Sequence, residues 1–571
     1  MKSRKLIWVV GMSLVVLMLL SSSAFSCTTI VVGKDASVDG SVMVGYSCDC
    51  SDCDDRIIFV PAQDYEPGSM RPIPPKRLEY PRYVTEGYAE YYAPIEGQKL
   101  TVPLGYIPQV EHTFQFFDAV NALLNEHQLG IGEGTVGSRT PGFPTKSYTV
   151  RPTPEAGWFT NPTLNRVAQE RCTTAREAIK LMGDLAVNHG FYLSGETLSV
   201  IDPNEGWMFH VLATPELGSA VWAAQRVPDD EVSAQSNTFT IREIDLNNPD
   251  YFMASDNVFE IAEEQGWWDP KEPFDFKRAY DRVRAEPSWS DLRRRWRIYD
   301  TLAPSREFEP WVDHYTKEYP FSIKPEKKVS VQDLFAIYRD SLEGTEFDRT
   351  VGPAAGPFGT PGRFGGGAGE KEVKGRWERP VSVKTASYSY IIQVRDWLPD
   401  PIGGLVWYGP DAPNTTCYVP FYCGIKELPV SYQIGSKHKF TRDSAWWAFD
   451  FINNFADLKY SYMIKDINAL QEQIEGKQFA MQPAIEAAAL ELYKKDPDLA
   501  KEFLTQYCVN NANDVVAEFW ELADLLIAKY NDGRLNIPGV KIGKGVGYPA
   551  WWLEQVEYGP IEPPETEAAP E

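Results

Sequence analysis

Cys27-Thr28-Thr29-Ile30-Val31-Val32-Gly33 is a short run dominated by β-branched residues and closed by glycine, which reads as a buried β-strand. Asp39-Gly40 follows as a hairpin turn signal. Ser41-Val42-Met43-Val44-Gly45-Tyr46 then reads as the return strand. The fold therefore starts with a hairpin, and the first residue of that hairpin is a cysteine.

What precedes Cys27 gives that cysteine its interest. Lys2, Arg4 and Lys5 form a basic start, and Leu6 to Leu20 is almost wholly apolar. The stretch has the length of a signal-peptide core and is short for a spanning helix of about 20 residues. Ala24-Phe25-Ser26 puts small residues at both positions that a signal peptidase reads before Cys27. An uncut anchor and a lipidated cysteine are rival readings, but the order Ala-Phe-Ser suits a lipoprotein site poorly. Cleavage makes Cys27 the new N-terminus, and export follows: a periplasm, an extracellular space or a secretory lumen. A thiol on a new N-terminus carries its own base, an α-amine of reference pKa about 7.7–8.0. Such a pair can attack an amide carbonyl and form an acyl-enzyme.

Downstream, residues 61–110 are rich in Pro, Tyr and Gly and read as loops with short strands. Thr174-Ala175-Arg176-Glu177 has the spacing of a capping box. It opens a helix with Ala175, Ala178, Ile179, Met182 and Ala186 on one face, ended by Gly190. Residues 194–201 and 206–212 read as a strand pair, and 386–393 and 403–408 as further strands. Residues 353–369 are a Gly/Pro-rich loop, and helices dominate from about 440 to 531. The order predicts an α+β fold. The expected division is a signal peptide over 1–26, a catalytic domain over 27–435, a helical C-terminal region over 436–545, and a tail over 546–571. The last residues of that tail, from Pro563, are acidic and Pro-rich, a disordered composition.

Composition limits the function classes. The 571 residues carry a formal net charge of -24, which disfavours nucleic acid as a partner. Six histidines are scattered without an HExxH pair, so a zinc hydrolase is poorly supported. Cys48, Cys50 and Cys53 crowd the end of the return strand. In an exported protein they are expected in disulfides: Cys50 with Cys53, or one of the three with Cys172, Cys417, Cys423 or Cys508. A metal site is the lesser alternative.

Cys27-Thr28-Thr29-Ile30-Val31-Val32-Gly33-Lys34 with Asp39-Gly40-Ser41 resembles the start of the cysteine dipeptidases, a family of N-terminal-nucleophile (Ntn) hydrolases that includes the secernins. Asn125-Glu126-His127-Gln128 through Ile131-Gly132-Glu133-Gly134-Thr135 resembles that family's next conserved block. Ser194-Gly195-Glu196, Trp222 to Asp229, Ala354 to Gly359 and Tyr422-Cys423-Gly424-Ile425 continue the likeness in the same order.

The resemblance implies a four-layer αββα sandwich with a helical C-terminal extension and Cys27 heading a central strand. It implies a dipeptidase acting on small peptides through a Cys27 acyl-enzyme, with no cofactor. Self-association into a homo-oligomer is compatible with it, and no membrane insertion is expected once the signal is removed. By position, Asp49 would hold the α-amine or orient the thiol. Tyr46 stands where related bile-salt hydrolases and penicillin acylases carry an Arg. Asn237 resembles the oxyanion Asn, with Thr135 a weaker candidate, and Arg363 resembles a later pocket Arg. Asn125 and Glu126 would line the pocket or bind the substrate amine, or else simply build a turn. Two alternatives remain: an N-acyl amide hydrolase with the same mechanism, and an idle exported Cys-rich binding protein with Cys27 locked in the cysteine cluster.

Overall fold

The structure is a computed structural model. It describes residues 27–559 except 83, 88–90, 93–94, 143–151, 285, 363–377, 538 and 541–542. The expected signal segment 1–26, Arg363, residues 363–369 of the Gly/Pro-rich loop and the tail from Pro563 lie outside the described residues.

The opening hairpin forms as its sequence predicts. Strand β1 is Thr28–Val32 and β2 is Val42–Cys48, paired antiparallel with Thr29 opposite Tyr46 and Val31 opposite Val44. Both strands are buried along their whole length, because each face meets other protein. On one face a Cβ at Gly45 would sit 2.5 Å from the Tyr338 ring, so only glycine lets that packing close. On the other face Thr29 Oγ1 donates to Ser199 Oγ at 2.8 Å, in a second sheet.

The remaining strands of the two sheets are, in chain order, β3 (Ile58–Val60), β4 (Phe116–Asp118), β5 (Ala122–Asn125), β6 (Gly130–Thr135), β7 (Glu196–Ile201), β8 (Gly206–Ala213), β9 (Ala220–Val227), β10 (Val232–Gln235), β11 (Phe252–Ala254), β12 (Tyr388–Val394), β13 (Leu405–Pro410) and β14 (Val419–Tyr422). A six-stranded sheet runs β10-β1-β2-β12-β13-β14, and an eight-stranded sheet runs β11-β9-β8-β7-β6-β5-β4-β3. Every pairing in both is antiparallel. The sheets stack closely enough that a Cβ at Gly132 of β6 would lie 2.8 Å from Thr29 Oγ1 of β1.

Helices α1 (Asn161–Arg171) and α2 (Ala175–His189) pack on the eight-stranded sheet. The predicted apolar face of α2, from Ala175 to Ala186, is fully buried. Thr174 caps it, accepting from the Glu177 N–H at 3.3 Å. The Glu177 carboxylate accepts from Thr173 N–H at 3.2 Å, one residue ahead of where a capping box would put that bond. Helices α3 (Trp289–Leu302), α4 (Val331–Arg339), α5 (Ala445–Ala456), α6 (Tyr460–Tyr493) and α7 (Pro497–Tyr530) pack against the six-stranded sheet. The polar run near 465–477 lies inside α6, whose 34 residues pair with the equally long α7. The chain is thus mixed α and β with two antiparallel sheets at its centre. No described helix is long and apolar enough to cross a membrane.

Candidate active site

Cys27 stands at the head of β1, at the end of the sheet where β2 also finishes. It is 3% exposed with the preceding chain still attached. Its side chain follows the alternation of β1, so it shares with Thr29 the face turned to the second sheet. Its Sγ lies 3.4 Å from the Tyr46 hydroxyl. Tyr46 donates its one hydrogen to Glu133 Oε2 at 2.9 Å, so toward Cys27 it presents an oxygen lone pair and the thiol is the donor. Thr135 donates to Glu133 Oε1 at 3.0 Å and completes the chain. Tyr46 is therefore an acceptor where a guanidinium would have been a cation.

A cation arrives from elsewhere. Arg294 of α3, fully buried, donates to the Cys27 carbonyl and to Thr28 Oγ1, each at 2.9 Å. Its other terminal nitrogen donates to Asn237 Oδ1 at 2.6 Å and to Asp291 Oδ1 at 3.2 Å. Burial pulls its pKa down to about 10, which leaves it charged at neutral pH. Asn237 in turn donates from Nδ2 to the Thr135 carbonyl at 2.7 Å. It sits at φ 63°, in the left-handed region that Asn tolerates better than most residues. That turn aims its amide across from β10 toward β6.

Asp49 follows β2 directly. Arg379 donates to its Oδ2 at 2.9 Å, and its buried Oδ1 has no hydrogen-bond partner among the described residues. Burial raises the Asp49 pKa against the pull of Arg379 and Arg294. The Cys27 thiol is pushed well up, first by its contact with Cys48, then by burial and the nearby carboxylates Glu133 and Asp49. In the uncut chain, where the Cys27 nitrogen is an amide, the thiol stays protonated. Glu196, opposite Thr135, is buried with Oε2 unpartnered among the described residues, and burial together with Glu133 raises its pKa well above the usual value.

The structure brings Cys27, Tyr46, Thr135 and Asn237 into one hydrogen-bonded group and sets Asp49 close enough to act on the thiol electrostatically. Asn125 and Glu126 are not brought there. Asn125 donates to the carbonyls of Gln169 and Cys172 and accepts from the N–H groups of His127 and Leu129, so every polar atom of its side chain is used in a turn. Glu126 accepts from Gln115 N–H at 3.0 Å. They end β5 and open the turn at the far end of β6, as the turn alternative has them.

Arg294, Glu133 and Glu196 carry no role in the sequence reading. The signal for Arg294 was Arg293-Arg294-Arg295 in an acidic chain, a run whose three side chains are all at most 4% exposed. Of the cysteines, Cys50 and Cys53 form a disulfide, and Cys27, Cys48, Cys172, Cys417, Cys423 and Cys508 are free. No group of three or more His, Cys, Asp or Glu among the described residues is placed to hold a metal. A cavity of about 180 Å³ opens beyond the disulfide, walled by Asp55, Tyr432, Lys437 and Trp446, and Cys27 is not among its walls.

Such a group has the parts that covalent acyl transfer uses if the thiol is given a base: a thiol, a fixed cation and a side-chain amide around one strand end. Comparison with known proteins finds relatives named as dipeptidases. A probable dipeptidase of Latilactobacillus sakei is 25% identical over 473 residues, covering 81% of this chain and 89% of its own length. A dipeptidase of Bifidobacterium longum is 24% identical over 483 residues, 78% of this chain and 80% of its own. A probable dipeptidase of Salmonella dublin is 25% identical over 409 residues, 70% and 82%. The model of peptidase family C69 matches residues 26–73 and 120–473, and the chain belongs to that family.

Proposed function

We propose that this peptidase is an exported cysteine dipeptidase of the Ntn-hydrolase kind, built on a four-layer αββα sandwich and activated by removal of residues 1–26. The observation that carries the reading is the position of Cys27: directly after a signal-type cleavage sequence and at the head of a buried central strand, bonded to Tyr46 and Arg294. The names of the relatives supply the substrate class.

Cleavage turns the Cys27 amide into an amine, and Asp49 Oδ1 is the acceptor we assign to it. The amine takes the thiol proton, directly or through a water, and the thiolate attacks the peptide carbonyl. Asn237, oriented by its bond to the Thr135 carbonyl and by Arg294, is the residue we assign to the oxyanion. Arg294 fixes Asn237 and the Cys27 carbonyl and adds positive charge beside the developing anion. The ammonium then protonates the leaving amino group, and water releases the acyl residue by the same steps reversed.

N-terminal sequencing and intact mass of the exported protein, with hydrolysis of dipeptides and N-acyl amides measured side by side, test this. A start at Cys27 with dipeptide turnover is expected. A start elsewhere, or a lipidated Cys27, removes the base. Turnover of acyl amides with dipeptides left intact transfers the same mechanism to another substrate class.

A further inference from the structure

Two thiols face each other across the opening hairpin. The β1–β2 register sets Thr28 opposite Ser47 and Thr29 opposite Tyr46, and one more step sets Cys27 opposite Cys48. Thr29 points at the second sheet, so its cross-strand partner Tyr46 does too, and Cys27 and Cys48 lie two residues along from each on that same face. Directly opposed residues in antiparallel strands have Cα atoms about 4.5–5.5 Å apart. A disulfide needs about 4.4–6.8 Å, so the spacing expected of such a pair falls within the bonding range. Both thiols are free and buried, at 3% and 2% exposure. Cys50, bonded to Cys53, is not available to Cys48.

We propose that Cys27 and Cys48 form a reversible cross-strand disulfide, a redox latch that takes the nucleophile out of use when a low-molecular-weight disulfide is in excess. The effect on activity rests on reading Cys27 as the nucleophile; formation of the bond does not. The thiolate of Cys27 attacks one sulfur of oxidised glutathione and breaks its S–S bond. One glutathione leaves as a thiol, and the other remains as a mixed disulfide on Cys27. Cys48, its proton passed to water or to the α-amine, attacks the Cys27 sulfur and expels the second glutathione as a thiol. Two protein thiols are oxidised and one small disulfide is reduced to two thiols.

The mature protein, equilibrated in glutathione buffers from reduced to oxidised, is alkylated, digested without reductant and mapped by mass, with dipeptide hydrolysis read on the same samples. A peptide linked through Cys27 and Cys48 is expected to grow with oxidation. Activity should fall in step by at least about tenfold, and dithiothreitol should return both. In Cys48→Ala, or Cys48→Ser if the alanine variant fails to fold, activity loss should track only a glutathione adduct on Cys27. A wild-type map in which Cys27 carries glutathione alone, or bonds Cys50 or Cys53, where activity is lost overturns the latch. A linked peptide in protein that is inactive even when fully reduced keeps the latch and removes the nucleophile reading.

Discussion

Strand β6 has two ends, and the family likeness covers both. At its start, Asn125, Glu126, His127 and Gln128 build the turn from β5, and their polar atoms are bonded to backbone and to Asp400. At its finish, Glu133 and Thr135 meet Tyr46 and Asn237 beside Cys27. Three residues of strand, Gly130 to Gly132, lie between the two. At the turn end Asn125 uses every polar atom of its side chain to hold the chain. The site end leaves Glu196 Oε2 and Asp49 Oδ1 buried without partners among the described residues, at a cost to stability. A shared motif marks both ends alike, and only the hydrogen-bond accounting separates scaffold from chemistry.

Substitution at the site end should break activity while leaving the fold. Cys27→Ala should lower kcat by on the order of 10^4-fold or more, as loss of other covalent nucleophiles does, with an unchanged circular dichroism spectrum. Residual activity near wild type would transfer the chemistry to another group. Asn237→Ala should lower kcat by roughly 10^2–10^3-fold with KM little changed, the cost of one oxyanion donor. Asn125→Ala sharpens the contrast: it should leave kcat intact and cost about 2–4 kcal/mol in urea unfolding, because buried N–H and C=O groups lose their partner. Equal kinetic effects of the two asparagines would erase the distinction between the ends. Tyr46→Phe removes one acceptor from the thiol and one donor from Glu133, and a roughly tenfold fall in kcat is expected from a change of about 1.4 kcal/mol.

Much of this frame was legible in the sequence, and the reasons are local. The β1–β2 hairpin was readable from β-branched runs around Asp39-Gly40, and α2 from its capping residue and apolar period, because both signals sit within a few residues. Tyr46, Thr135 and Asn237 were placed by likeness to a family, and they do meet at Cys27. Arg294 was invisible because its contacts with Cys27 span 267 residues of sequence, and no periodicity reports which strand end a helix will touch. Asn125 misled for the opposite reason. Its block is similar to the family's whether the side chain binds substrate or ties a turn, and only its four hydrogen bonds decide. The pairing of Cys50 with Cys53 was one of several open connectivities, fixed by the tight turn after Cys48.

The smallest effects should come from pH, and their signs oppose at the two ends. Glu196 has its pKa raised by burial and by Glu133, so the folded state binds its proton more readily than the unfolded chain. Its contribution is intact below the unfolded value of 4.5 and is lost as pH rises toward the folded value. Glu196→Gln should therefore raise the melting temperature near neutral pH and leave it unchanged at about pH 4. Asp400 has its pKa lowered, first by the His127 hydrogen bond and also by Gln128. Its charge stabilises the fold above the ordinary value of 3.8, and that is lost as pH falls through the depressed one. Asp400→Asn should lower stability near neutral pH and make no difference in strong acid. The pair is half exposed, so solvent screening holds the loss to roughly 0.2–1 kcal/mol. Melting curves of both variants at the two pH extremes decide it: a destabilised Glu196→Gln at neutral pH would mean that the site end, too, is scaffold.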